Sequence, residues 1–179
     1  LWMDLYAKKA KYLCLAETWI DESKTSPFLC KDRHVYHASH GKGKGTAIIS
    51  FHEEENVLRY SLEEFQIVSI VTEEFQLTVV YISSGTNLED VVKVMKTMID
   101  PNNLQMILGD FNFDSMDNNY IKNFFDEMGL HQEVTQPTHQ AGRILDHLYL
   151  SGELREKSKL NVKFKYFSDH AALQIKVNV

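Results

Sequence analysis

Acidic and polar side chains begin or end apolar segments at four places in this chain, and together they could hold a metal ion. They are Glu17, Asp110, Asn112, Asp146, Asp169 and His170. Charges at strand ends can converge on one rim of a sheet, where a buried carboxylate needs a cation or another partner. Three Asp, one Glu, one Asn and one His form an oxygen-rich set, which suits Mg²⁺ better than Zn²⁺. For any one of them alone, a role in a turn or a helix cap is the common alternative.

Eight short runs that are rich in Val, Ile, Leu, Phe and Tyr predict the strands that would position these side chains. They are Tyr12–Ala16, Thr46–Phe51, Phe65–Val71, Phe75–Ile82, Gln105–Leu108, Leu145–Leu150, Asn161–Tyr166 and Leu173–Val177. The third and fourth runs are joined by three residues, which predicts a hairpin.

Apolar residues at helical spacing predict a helix from Leu88 to Ile99 with Asn87 as its cap. A second helix is predicted from Ile121 to Met128, ended by Gly129. A third helix is expected near the start of the chain, from Trp2 to Ala10. The mixture of hairpins and helices predicts an α/β fold in which helices cover packed sheets.

Composition limits the class of protein and of substrate. With 179 residues, of which 44% are hydrophobic and 25% charged, the chain predicts one globular domain over residues 1–179 and excludes a disordered or fibrous class. Nineteen basic and 25 acidic residues give a net charge of −6, so a polyanion would have to bind through a local patch or a metal. The sequence has two cysteines and no run of apolar residues long enough to span a membrane, and we expect a nuclear or cytoplasmic protein.

Four motifs, in one order, resemble those of a known family. They are Glu17-Thr18-Trp19 after an apolar strand, Gly109-Asp110-Phe111-Asn112, Leu145-Asp146-His147 before a strand, and Ser168-Asp169-His170. The chain resembles the endonuclease/exonuclease/phosphatase superfamily, whose fold is that of pancreatic-type deoxyribonuclease and of apurinic-site repair nucleases. With Pro137-Thr138, it is most similar to the endonuclease domains of non-LTR retrotransposons and related mobile elements. The resemblance runs from about Tyr12 to the end of the chain.

This resemblance implies two packed β-sheets flanked by helices, a four-layer α/β sandwich, and phosphodiester cleavage that depends on Mg²⁺, with Mn²⁺ as the alternative. Glu17 would hold the metal, and Asp169 would support the same side. Asp110 would orient or deprotonate the attacking water, and Asn112 would position that water or the phosphate.

The resemblance also implies the residues that would face the phosphate. His170 would contact it, with its imidazole fixed by Asp146. Tyr81 would lie near it, although the usual following Pro is absent. Thr138 and Ser168 match polar positions that approach the substrate backbone. Chemically this set is consistent, because hydrolysis develops negative charge that a metal and a cationic imidazole neutralise.

The start of the chain departs from the family pattern. The family opens with a strand that carries an Asn, followed by a helix, and this chain begins inside the position of that helix. We therefore expect an N-terminally truncated domain, monomeric and cut from a larger polyprotein.

Weaker patterns have common structural explanations. Cys30, His34, His37 and His40 have spacings that could suggest zinc, but a strand would put His34 and His37 on opposite faces. His147 should point away from Asp146 and be structural. Lys42 and Lys44, in a Gly-rich segment, would either enter a hairpin or contact DNA phosphates.

The leading functional prediction is a DNA endonuclease of the mobile-element type that nicks one strand and leaves a 3′-hydroxyl. A phosphatase or lipid phosphodiesterase of the same superfamily is the second candidate. A catalytically impaired remnant that binds nucleic acid or a protein partner is the third, and the missing first strand favours it.

Overall fold

The strands and helices of the computed structural model form two sheet layers and a helical layer. The structure describes residues 10–18, 33–41, 43–116, 119–165 and 168–178. The strands in these ranges are β1 Tyr12–Ala16, β2 His34–Ala38, β3 Thr46–Ser50, β4 Asn56–Ser61, β5 Phe65–Val71, β6 Gln76–Ile82, β7 Gln105–Asp110, β8 Leu130–Gln132, β9 Asp146–Ser151, β10 Ser158–Phe164 and β11 Ala171–Val177. The helices are α1 Leu88–Met98, α2 Asn119–Glu127 and α3 Gly152–Lys157.

The central sheet has six strands in the order β4-β5-β6-β7-β9-β8. Its neighbours are antiparallel except β6 and β7, which run parallel and are connected through α1. All seven residues of β6 are buried, because both faces of the sheet are covered. The carboxyl ends of β6 and β7 therefore lie side by side at one rim of a buried sheet.

One face of the central sheet packs against α1 and α2, in a core that includes Val80, Ile107, Met95 and Phe125. The opposite face packs against two smaller sheets, β1-β3-β2 and β10-β11. Side chains alternate between these two cores along each central strand, so β6 gives Val80 to the first core and Val79 to the second. The expectation of two packed sheets flanked by helices is confirmed.

The predicted elements are mostly found, with small changes at their ends. The hairpin of β5 and β6 pairs in register from Phe65 opposite Ile82 to Val71 opposite Gln76. Helix α1 begins after Asn87, whose side chain accepts the Glu89 N–H bond as the predicted cap. The expected helix from Trp2 to Ala10 lies outside the described residues, apart from Ala10 itself. In the described part of the chain, no helix is long and apolar enough to cross a membrane.

Three elements were not predicted. Strand β4 is half-exposed at the sheet edge and lacks an apolar run, β8 has three residues, and α3 has six. Each is too short or too polar to show a clear period in the sequence.

Candidate active site

Three side chains lie in one row across neighbouring strands of the central sheet. Tyr81 of β6 is opposite Asp110 of β7, and Asp110 is opposite Asp146 of β9. Residues that pair in this way point to the same face, here the one that the two smaller sheets cover. The row stands where β6 and β7 end and β9 begins, so the strands bring a phenol and two carboxylates together at the rim.

Gly109 allows β7 to lie close enough to β6 to form this row. Its φ angle is 147°, and a Cβ atom built there would lie 1.8 Å from the Val80 carbonyl oxygen. No side chain can occupy that space, so the strand must carry glycine directly before Asp110.

Gly109→Ala is expected to destabilise the protein by about 3 kcal/mol or more, because β7 must move away from β6. Gly129→Ala is the matched control, since Gly129 also has a positive φ, 72°, but has open space around its Cβ position. That control should cost only about 1 kcal/mol. Urea unfolding of both variants measures the difference, and equal losses would contradict the close-approach argument.

Asn112 holds the Asp110 carboxylate in place. The Asn112 backbone N–H donates to Asp110 Oδ1 at 2.9 Å, and its Nδ2 donates to the Ile82 carbonyl at 2.9 Å. Its φ is 55°, in the left-handed region that Asn tolerates better than most residues. Phe111, which lies between Asp110 and Asn112, is buried in the core between the central sheet and the helices. Its burial holds the turn after β7 in place.

Burial is the main reason why the pKa of Asp110 is raised, to about 7. The charges of Asp146 and Glu17 raise it further, whereas the Asn112 N–H and His170 lower it. Burial also raises the pKa of Tyr81, and the carboxylates of Glu17 and Asp110 add to that shift. The carboxylates of Asp110, Asp146 and Glu17 at this rim therefore carry more negative charge than His170 neutralises.

His170 contacts this row through Asp146, as predicted. Its Nδ1 lies 2.8 Å from Asp146 Oδ2. The Asp146 hydrogen bond is the largest cause that raises the pKa of His170, to about 9, against the opposing effect of burial. The imidazole is therefore a cation at neutral pH.

Thr138 is placed differently from the prediction. Its side chain is 0% exposed, and its hydroxyl accepts the backbone N–H groups of Leu145 at 3.0 Å and Asp146 at 2.9 Å. The predicted contact with the substrate backbone is corrected, because this hydroxyl positions the start of β9 instead.

His147 is structural, as expected from its opposite orientation. It is 0% exposed and stacks on Phe111 at 4.6 Å. Its Nε2 lies 3.1 Å from the Phe113 carbonyl, so Nε2 carries the proton, and Nδ1 accepts from the Tyr149 hydroxyl at 3.1 Å. Burial lowers the pKa of this ring to about 4.

Acidification is expected to destabilise the protein through His147. Because its pKa is about 4 in the folded protein and about 6.5 when unfolded, its contribution is complete above pH 6.5 and is lost as the pH falls to about 4. The loss is about 3 kcal/mol. NMR titration of the His147 ring checks this, and protonation near pH 6.5 in the folded protein would contradict it.

The remaining predicted site residues lie at the rim or outside the described residues. Glu17, with a φ of 51°, is exposed at the end of β1. Ser168 accepts the His170 backbone N–H at 3.1 Å, so its hydroxyl shapes the turn before β11. Lys44 donates to the Glu63 carbonyl at 2.8 Å, whereas Lys42 and the Trp19 of the first motif lie outside the described residues.

Asp169 is 66% exposed in its side chain, and its Oδ2 lies 3.3 Å from His139 Nε2. A hydrogen bond from its own backbone N–H lowers the pKa of Asp169 most, and His139 lowers it further. The sequence motifs did not predict a role for His139, because the motif at this point of the chain contains only Pro137 and Thr138. The signal that could have found it is its place directly after that pair.

The structure does not support the zinc pattern. His34 and His37 lie three residues apart on β2, which places them on opposite faces, and Cys30 lies outside the described residues. Among the residues that are described, the metal-capable groups are Asp110 with Asp146 and His170, and His139 with Asp169 and His170.

The first of these groups fits a hard divalent cation. Its ligand atoms lie within 4.8 Å of one another, and its two carboxylates supply oxygen donors, whereas the protonated His170 ring has no lone pair for a metal. Burial raises the pKa of Asp110 most and the charge of Asp146 raises it further, and both effects disfavour a charged carboxylate that a cation would stabilise. Glu17 lies close enough for its charge to raise the pKa of both Asp110 and Tyr81, and Asp169 directly precedes His170, so both carboxylates are further candidate oxygen donors.

Comparison with known proteins gives likeness of structure but not of sequence. No protein-family model matches the chain, and no curated protein matches it. The endonuclease domain of TRAS1, a telomere-specific non-LTR retrotransposon, is 19% identical with a TM-score of 0.71, over 98% of this chain and 88% of that one.

Two further solved structures are similar over nearly the whole chain. The 3′ phosphatase NExo from Neisseria, bound to a product DNA hairpin, is 18% identical with a TM-score of 0.80, over 99% of this chain and 93% of that one. An AP endonuclease from Archaeoglobus fulgidus is 16% identical with a TM-score of 0.77, over 99% and 92%. The chain therefore has the endonuclease/exonuclease/phosphatase fold that its motifs predicted.

Proposed function

We propose that this chain hydrolyses phosphodiester bonds in DNA with the help of Mg²⁺ or Mn²⁺, and that it nicks one strand to leave a 3′-hydroxyl. The observation that carries the proposal is the buried Asp110 carboxylate beside the cationic His170 imidazole, with Asp146 between them. The likeness to the TRAS1 endonuclease domain supports a mobile-element origin within a larger polyprotein.

Asp110 is the group that takes a proton from water. A base whose pKa lies near the working pH is best matched to this task, and in the metal-free protein burial raises the pKa of Asp110 to about 7. Its Oδ1 is already bound by the Asn112 N–H, so the carboxylate has one fixed orientation. Asn112 thus orients the base. Its side-chain Nδ2 also lies 3.3 Å from the other carboxylate oxygen, Asp110 Oδ2.

His170 and Tyr81 face the phosphate. The His170 cation stabilises the negative charge that develops on the phosphoryl oxygens, and Asp146 fixes the ring from behind through Nδ1. Tyr81, with its phenol kept protonated by burial, supplies a hydrogen-bond donor in the same row. Glu17 and Asp169, the metal-side residues that the resemblance implies, would hold a divalent cation, which would polarise a phosphoryl oxygen and supply local positive charge in a chain whose net charge is −6.

The bond changes are those of simple hydrolysis. Asp110 takes one proton from water, the remaining hydroxyl bonds to phosphorus as the bond between phosphorus and O3′ breaks, and one proton is returned to the released O3′, which balances the proton that Asp110 took. The nicked strand is left with a 3′-hydroxyl on one side of the nick and a 5′-phosphate on the other.

A plasmid-nicking assay tests the proposal. Supercoiled DNA should become open circles with Mg²⁺, remain intact with EDTA, and reseal with DNA ligase, which joins only a 3′-hydroxyl to a 5′-phosphate. The His170→Ala variant is the inactive control. A well-folded protein that binds the plasmid without nicking it would support the remnant function instead.

The NExo likeness favours one second candidate, a 3′-phosphatase acting on DNA ends. The same carboxylate and imidazole would remove a terminal phosphate if the site accepted only strand ends. A 3′-phosphorylated oligonucleotide duplex separates the two candidates. Release of phosphate without plasmid nicking would identify the phosphatase.

A further inference from the structure

A second histidine–carboxylate pair lies beside the first one. His139 Nε2 is 3.3 Å from Asp169 Oδ2, and the His139 and His170 rings meet edge to face with their centroids 4.9 Å apart. The two pairs are thus neighbours, and Asp169 and His170 are consecutive in the chain. His139 has no role in the function proposed above.

The contacts of His139 define which nitrogen carries its proton. The Ala141 backbone N–H donates to His139 Nδ1 at 3.1 Å, so Nδ1 must offer a lone pair. In the neutral ring the proton is then on Nε2, which donates it to Asp169. This is the reverse of the first pair, where Nδ1 of His170 faces the carboxylate.

The backbone around His139 is held on both sides. The N–H groups of Thr138 and His139 both donate to the Arg143 carbonyl, at 2.9 and 3.0 Å. On the other side, this turn is joined to the segment before β11. The Gln140 N–H donates to the Asp169 carbonyl at 3.0 Å, and His139 forms a β-bridge with His170. The imidazole therefore projects from a rigid turn that is joined to the segment carrying Asp169.

We infer that His139 is a positioning residue that fixes the Asp169 carboxylate for the metal side of the site. This rests on the proposed function, and it assigns a role that the motifs do not include. The Asp169 side chain is 66% exposed, and without His139 its carboxylate would be held only by its own backbone N–H, which orients a metal ligand less well.

Direct binding of an ion by His139 is the competing explanation, since His139, Asp169 and His170 place ligand atoms within 4.8 Å. It requires a lone pair on Nε2, and the proton would then move to Nδ1 and face the Ala141 N–H. The hydrogen bonds favour the positioning role.

The test is Mn²⁺ binding to the metal-free protein, measured by calorimetry in the absence of DNA. His139→Phe keeps the ring and its contact with His170 but removes both nitrogens, and it should raise the Mn²⁺ dissociation constant about 10–100-fold. His139→Gln, whose amide N–H can still donate to Asp169, should recover most of that affinity. His131→Phe, at an exposed histidine of β8, is the matched control and should bind as the wild type does.

A double-mutant cycle shows whether His139 acts through Asp169. In an Asp169→Asn background, His139→Phe should weaken Mn²⁺ binding no further. Thermal unfolding of each variant confirms that it is folded, and His139→Gln replaces His139→Phe in the cycle if the latter is not.

Each outcome has a distinct meaning. Unchanged Mn²⁺ affinity in folded His139→Phe, while the wild type binds Mn²⁺ and nicks DNA, overturns the inference and leaves the proposed function intact. Equal losses in His139→Gln and His139→Phe overturn it in favour of direct ligation by the imidazole. A wild-type protein that binds neither Mn²⁺ nor Mg²⁺ overturns the proposed function and this inference with it.

Discussion

Asp110→Asn is expected to slow hydrolysis strongly and, in the metal-free protein, to raise stability. The activity should fall about 10²–10⁴-fold, because the amide cannot take a proton from water. The fold should be kept, since the Asn oxygen can still accept the Asn112 N–H that now binds Asp110 Oδ1. The two effects have one cause, which is the burial of the Asp110 carboxylate beside Asp146. Burial raises the pKa of Asp110 toward that of a useful base, and the same buried charge destabilises the folded protein.

The stability gain depends on pH. The pKa of Asp110 is about 7 in the folded protein against an ordinary value of 3.8. This carboxyl therefore supports folding fully below pH 3.8, and that support is lost as the pH rises through 7. Above pH 7 the charged form costs on the order of 2–4 kcal/mol, so Asp110→Asn should melt roughly 5–10 °C higher at pH 8.

Thermal unfolding in EDTA at pH 8 and at pH 4 checks this prediction. The advantage of Asp110→Asn should be present at pH 8 and nearly absent at pH 4. Asp126→Asn is the matched control, because it removes an exposed carboxylate paired with Lys122 and should change little. A variant that melts as the wild type does at pH 8 would contradict the buried-charge argument, and one that keeps full activity would remove Asp110 as the base.

The residues that the sequence could identify are those at the ends of its apolar strands. Asp110 follows a buried strand and Asp146 begins one, so their positions on the rim follow from the strand pattern and the pairing of β7 with β9. Gly109 belongs to the same motif as Asp110. Glycine is required there because the backbone of Val80, on the neighbouring strand β6, leaves no space for a side chain. Strand order and register are therefore needed to explain even a motif that the sequence shows.

The sequence could not give the roles of residues in the loop before β9. Thr138 was expected to face the substrate, because it matches a polar position of the family that the chain resembles. Its burial follows from the Leu145 and Asp146 amides that its hydroxyl binds. His139 meets Asp169 across 30 residues of chain, and nothing in the local pattern of either segment predicts that contact.

His170→Ala is expected to lower the hydrolysis rate about 10²–10⁴-fold, because the site loses its cation facing the phosphate. The protein should remain folded, since the ring is partly exposed and lies at the rim. Single-turnover plasmid nicking at saturating Mg²⁺ measures the loss. An activity close to that of the wild type would exclude His170 from the site.

Asp146→Asn separates the charge of His170 from its orientation. The Asn oxygen can still accept from His170 Nδ1, and the Asp146 backbone stays held by the Thr138 hydroxyl, so the ring should keep its place. The negative charge that raises the pKa of His170 to about 9 is gone, and this pKa should fall toward the ordinary value of 6.5. At saturating Mg²⁺, the alkaline limb of the rate profile should therefore move from about pH 9 to lower pH. If the limb did not move, the cationic form of His170 would not be the one that acts, and its contribution would be that of a neutral hydrogen-bond donor.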